Sequence, residues 1–304
     1  MRLAYFSTIL GAALWGLIGI FVQGLYSYGF TPWEVVGIRL FVSAVLTVLF
    51  LLIFSRRLLV IQLKHIPFFI GTGIISISFF NWAYFTVMEG ASLSLAVTLL
   101  YTGPVFVTIL SRLIFQEALT TKKLSALVMT VVGCSFVVGF LPFGTSSISM
   151  SLLITGVASG FFYALYSIFG KFVSPYYNPL TITAYSMIFG ALFLLPTSQL
   201  WEKQAVFAKP EVWLLAIGLA IIATVLGYIF YTYGLARIES SRASILSTIE
   251  PVVAISVGVL IFGDSMEVWQ VLGMILVITS VFLTIETKKE AKVVNEKSTQ
   301  TSTG

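Results

Sequence analysis

One cysteine, one histidine and twelve acidic residues are all that 304 positions offer for metal, disulfide or acid–base chemistry. Cys134 lies in an apolar stretch with no second cysteine to pair with, which excludes a disulfide framework and a thiolate metal site. His65 stands beside Lys64 between two apolar segments, the setting of an ordinary interfacial residue. The patterns H-E-x-x-H, G-x-x-x-x-G-K and G-x-S-x-G are absent, so no enzymatic activity, metal or cofactor is expected. Charge is scarce as well: 10% of residues are charged, against about a quarter in a soluble domain.

What fills the chain instead is apolar surface. Hydrophobic residues make up 58%, and the mean hydropathy is +1.02. Leu3 to Val22 carries no formal charge. At about 1.5 Å per residue, such a run spans a hydrocarbon core of roughly 30 Å. Similar runs continue to Ile285, so the first is not a lone signal peptide. They predict ten spans, near 3–22, 33–54, 66–88, 92–115, 123–141, 151–170, 180–197, 212–234, 241–262 and 267–285. Helices are expected, because the runs lack the alternation of a lipid-facing strand. The fold class is therefore all-α integral membrane. The segment 286–304 is polar, lacks an apolar face and reads as a disordered cytoplasmic tail.

Orientation follows from the basic residues. With the N-terminus inside, fourteen of the 17 Lys and Arg fall on inner segments, Lys203 and Lys209 on outer loops, and Arg39 within a span. This bias places both termini in the cytoplasm of a cell (inner) membrane protein. It also accounts for the basic balance without any nucleic-acid partner.

The chain repeats itself. Pro32, Tyr84, Pro104, Phe115 and Glu117 recur 147 residues later as Pro179, Tyr231, Pro251, Phe262 and Asp264. "GPVFVTILSRLIFQEAL" thus aligns with "EPVVAISVGVLIFGDSM" without a gap. Five spans per repeat is an odd number, so the second repeat, 151–285, must be inverted relative to the first, 1–141. Inverted duplication is typical of carriers that alternate access to a central site.

With these spans, this repeat, "WG" at Trp15 and "P…F…E" closing the fourth span, the sequence resembles the drug/metabolite transporter superfamily and, within it, the EamA family. The resemblance covers about 3–285. It implies a ten-helix exporter of amino acids or other small metabolites, with a cavity lined by the first four helices of each repeat. The fifth of each would be peripheral, leaving the tenth helix or its partner available for homodimer contacts.

"STIEPVVAIS" places Glu250 before Pro251 deep in the ninth span. Nine residues in, it lies roughly 14 Å from the inner boundary, near the midplane. A carboxylate there has to face the bundle interior, and the proline loosens the preceding turn, freeing carbonyls. Arg39 in "GIRLFVS" is the other embedded charge. Neither is duplicated, their repeat mates being Gly103 and Ser186. Arg39 suits a substrate carboxylate, while Glu250 suits an ammonium group or a coupling proton; a structural ion pair is the competing reading. Trp15, Tyr101 and Tyr163 fall at similar depths, with Asn81, Trp82 and Tyr84 in the outer half of the third span and Tyr231 as the mate of Tyr84. As a group they predict a mostly apolar binding site with a few polar handles. The expected function is secondary transport of small metabolites, amino acids or related zwitterions first. A nucleotide-sugar or phosphate-ester exchanger and a non-transporting scaffold or lipid-handling protein are the alternatives.

Overall fold

The computed structural model describes residues 1–142 and 149–285, and the tail expected at 286–304 lies outside them. Among the described residues there is helix and no strand. In hydrocarbon a segment has to satisfy its own backbone hydrogen bonds, which a helix does. The long helices are α1 Arg2–Ser27, α2 Pro32–Phe54, α3 Leu63–Gly90, α4 Leu93–Phe115, α5 Thr121–Val137, α6 Met150–Val173, α7 Pro179–Ser198, α8 Pro210–Leu235, α9 Ser240–Phe262 and α10 Val268–Thr284. Eight of them, all but α5 and α10, are long and apolar enough to cross a membrane. At the fifth and tenth expected spans the helices have 17 residues each, shorter than the apolar runs there. α5 stops early because Gly139, with φ 72°, turns the chain into the left-handed conformation just after it.

Matching signals start matching helices. Thr31 caps α2 through Glu34, with Pro32 in the first turn, and Asn178 caps α7, with Pro179 in the first turn. Proline fits there because the first amides have no partner inside the helix.

Interruptions recur at the repeat offset too. α4 breaks at Tyr101 and Thr102, and α9 breaks at Thr248, 147 residues after Tyr101. In both, a proline three residues after the break, Pro104 or Pro251, lacks the N–H that would tie it to the preceding turn. α3 and α8 each contain a stretch of wider π turns, Gly71–Ser78 and Ile221–Leu226.

Packing follows the same correspondence. α1 lies on α8 and α9, and α6 lies on α3 and α4; α3 packs on α7 and α8 on α2; α2 pairs with α7, and α5 with α10. The largest buried cluster, which includes Trp15, Leu40, Ile77, Met187, Tyr231 and Leu246, sits where α1, α2, α3, α7, α8 and α9 converge.

Candidate functional site

Glu250 opens the second part of α9, two residues past the break at Thr248. α1 lies against it, for a Cβ on Gly16 would come within 2.7 Å of the Glu250 carbonyl oxygen. The position equivalent to Glu250, Gly103, has no room for a side chain: a Cβ there would meet the Tyr163 ring at 2.9 Å. That steric limit accounts for the carboxylate appearing in one repeat only.

Arg39 is buried within α2, and its Nε has no hydrogen-bond partner. Its repeat mate Ser186 is a small hydroxyl that bonds Thr72 at 2.7 Å, tying α7 to α3. Arg39 and Glu250 act on each other electrostatically. Among the described residues, however, no ion pair joins them, so the competing reading of a direct structural bridge does not describe this state.

The field of Glu250 also reaches Tyr84, Tyr101, Tyr163 and Tyr228. Tyr101 is buried and Tyr163 half-buried, the latter with its ring edge-on to Phe80 at 5.7 Å. Trp15 joins through aromatic contacts, its ring 4.9 Å from that of Tyr228 and 5.1 Å from that of Tyr231. The Trp15 Nε1 donor is buried without a partner. Tyr231 is fixed by a 2.6 Å hydrogen bond with Ser167, and Tyr166 by one of 2.8 Å with Thr232.

Of the nine residues singled out in the sequence, Arg39, Tyr84, Tyr101, Tyr163 and Glu250 share one electrostatic neighbourhood, and Trp15 and Tyr231 join it through their rings. Asn81 is buried, but its amide donates to Ile77 O of its own helix at 2.6 Å. Trp82 is not brought to the group: it is 54% accessible, because one residue after the inward-facing Asn81 a helix has turned by about 100°. Sequence reasoning missed Tyr228 and Tyr166. Tyr228 carries its own signal, since it stands 147 residues after Asn81. Lys171 donates to Leu235 O at 2.7 Å and Ile238 O at 2.6 Å, closing the C-terminal end of α8.

Two buried donors without partners, a carboxylate held apart from the guanidinium and a wall of tyrosines can hold a small polar molecule by both ends. The comparisons with known proteins agree with a carrier. The sequence profile of the EamA-like transporter family matches twice, over residues 2–139 and 150–286. An uncharacterized transporter of Archaeoglobus fulgidus is 27% identical over 93% of this chain and 96% of its own. The uncharacterized inner membrane transporter YicL of Salmonella typhimurium is 25% identical over 96% of this chain and 98% of its own. A probable amino-acid metabolite efflux pump of the same organism is 24% identical over 92% and 94%. One crystal structure shares the fold with a TM-score of 0.77 at 15% identity, covering 92% of this chain and 95% of the other. By the two profile matches, which together take in almost the whole chain outside the tail, the protein belongs to the EamA-like transporter family.

Proposed function

We propose that the protein exports amino acids or related zwitterions by alternating access between two inverted five-helix repeats. In this reading α5 and α10 also cross the membrane, so that the chain crosses ten times with both termini in the cytoplasm. The observation that carries the substrate class is the separation of Arg39 from Glu250: a guanidinium with an unpartnered Nε and a carboxylate, unpaired with each other, complement the two ends of a zwitterion. Trp15 Nε1 adds an unpartnered donor, and the tyrosines form the apolar wall. A polyanionic substrate would call for several embedded cations, and Arg39, in the first third of the helix Pro32–Phe54, is the one cation the sequence embeds within a span. Similarity to a protein named a probable amino-acid metabolite efflux pump supports the same reading. Glu250 is the group able to exchange a proton during the cycle.

Counterflow in proteoliposomes tests this. Vesicles loaded with a panel of unlabelled amino acids are expected to take up the matching labelled one transiently, and Arg39→Ala to abolish the uptake. Glu250→Gln is expected to keep exchange while losing flux driven by a pH gradient. Absence of uptake for every panel member by the wild type would overturn the amino-acid assignment.

A further inference from the structure

The C-terminal end of α4 carries a carboxylate that substrate recognition does not use. Glu117 is buried and accepts hydrogen bonds from Ser240 N–H at 2.6 Å, from Ser241 N–H at 3.1 Å and from the Ser241 hydroxyl. These are the first amides of α9, which have no partner within the helix, and the positive end of the helix dipole adds to the attraction. Lys123 braces the contact: its Nζ donates to Ala118 O at 2.7 Å and lies 3.2 Å from Glu239 and 4.0 Å from Glu117. One end of α4 is thereby bolted to one end of α9, with Ser240 and Ser241 wholly buried.

The acid and the helix start it would cap recur 147 residues away, whereas the brace does not, since Lys123 corresponds to Gln270 and Glu239 to Ser92. Glu117 corresponds to Asp264, Ser240 to Leu93 and Ser241 to Ser94. The backbone presents the two acids in the same way. The residue before each is left-handed, Gln116 with φ 57° and Gly263 with φ 74°. Glu117 N–H donates to Ser111 O at 3.2 Å and Asp264 N–H donates to Gly258 O at 3.1 Å, and those two acceptors are again repeat mates. The side chains part company at this point. Asp264 is exposed, its carboxylate lying over Gly258 of its own helix, and Leu93 is 57% accessible. The second part of α4 packs against the first part of α9, while the reciprocal halves have no comparable packing. The two helices are pinned at one end and spread at the other.

We propose that Glu117 and Asp264 are alternating latches, one for each face of the carrier. In this structure Glu117 seals its end; in the opposite state Asp264 seats on the start of α4 and accepts from Leu93 N–H, Ser94 N–H and the Ser94 hydroxyl. The inference rests on the alternating-access reading and supplies its gates.

Distances between spin labels test it in proteoliposomes, in a Cys134→Ser background. One pair, Leu119→Cys with Arg237→Cys, reports the Glu117 end, and the other, Ala91→Cys with Met266→Cys, reports the Asp264 end. The expected starting state is short at the first pair and long at the second. Glu117→Gln is expected to lengthen the first distance and to populate a shorter second one. Adding Asp264→Asn, or Ser94→Ala, is expected to cut that new population about tenfold, the loss of a charge-assisted hydrogen bond. Ser94 is half-exposed at a helix start, so its variant leaves the fold as it is. The latches are overturned if Glu117→Gln leaves both distances unchanged, or if the short second distance survives both added substitutions. Counterflow by the wild type in the same vesicles separates the two levels: flux with unchanged distances removes the latches and keeps the carrier, whereas no flux and one fixed distance in every variant removes both.

Discussion

At Arg39 a lysine would keep the charge and lose the planar fork together with the buried Nε that has no partner in the protein. Arg39→Lys is therefore expected to weaken exchange about tenfold or more, read as the concentration of unlabelled substrate that half-displaces label, while the purified protein keeps its elution profile. A second residue gives a stability effect instead. Burial raises the carboxyl pKa of Glu239, but its bond from Arg242 at 2.5 Å and the charge of Lys123 outweigh this, so the group is held below the usual carboxylate range. With the folded-state value depressed, its contribution is fully present above the ordinary carboxylate range and is lost as pH falls through the folded value. Melting curves of wild type and Glu239→Gln are expected to differ at neutral pH and to converge in acid.

Among the helices, the crossing of α1 and α8 is the tightest test of how the bundle is assembled. A Cβ on Gly11 would come within 2.6 Å of Gly227 O and 2.7 Å of Tyr231 N, both backbone atoms. Gly11→Ala has no side chain to push aside and must move a helix, at a cost of about 1–3 kcal/mol. Gly19, farther along α1, faces open space. Gly19→Ala is expected to leave the melting temperature unchanged or slightly raised, and Gly11→Ala to lower it. A shift at Tyr231 would carry to the Trp15 ring packed against it, so Gly11→Ala is also expected to impair exchange. The positions of the helices were legible in the sequence because long apolar runs end at strong signals, such as Thr31 with Pro32 and Asn178 with Pro179. Their interruptions were only half legible. Pro251 announced a weak turn and Pro104 is its repeat mate, but the breaks themselves fall on Tyr101 and Thr248, residues with no such signature. α5 was read too long because its apolar run continues to Leu141, whereas the left-handed Gly139 ends the helix first.

Over the whole molecule, the proposed topology predicts that thiols placed at Arg2→Cys and in the segment after α10 react with a membrane-impermeant reagent from the same side in inside-out vesicles. Labelling of the two ends from opposite sides would remove the odd-numbered, inverted repeat. Family membership was legible because it depends on the repeat offset, a property of the whole chain. The neighbourhood of Glu250 was partly legible: embedded charge pointed to Arg39, and depth, which is set by distance along a helix, pointed to Tyr101 and Tyr163. Depth misplaced Trp82 and passed over Tyr228, which are set by rotation about one. The role of Glu117 was not legible at all, since its partners lie 123 and 124 residues away and only folding brings them together.

Gly103 and Ser186 stand where the other repeat holds Glu250 and Arg39, so a nearly duplicated frame carries charges that are not duplicated. In the proposed alternating cycle, exchanging inside for outside therefore does not return the same binding surface. Around a closed cycle the free energies still sum to zero, so this asymmetry cannot drive accumulation by itself. It sets kinetics instead: the concentration for half-maximal exchange differs between the two sides, and the empty carrier rests unequally between them. A transporter built this way acquires a preferred working direction from the placement of two side chains, with its thermodynamics left to the gradient.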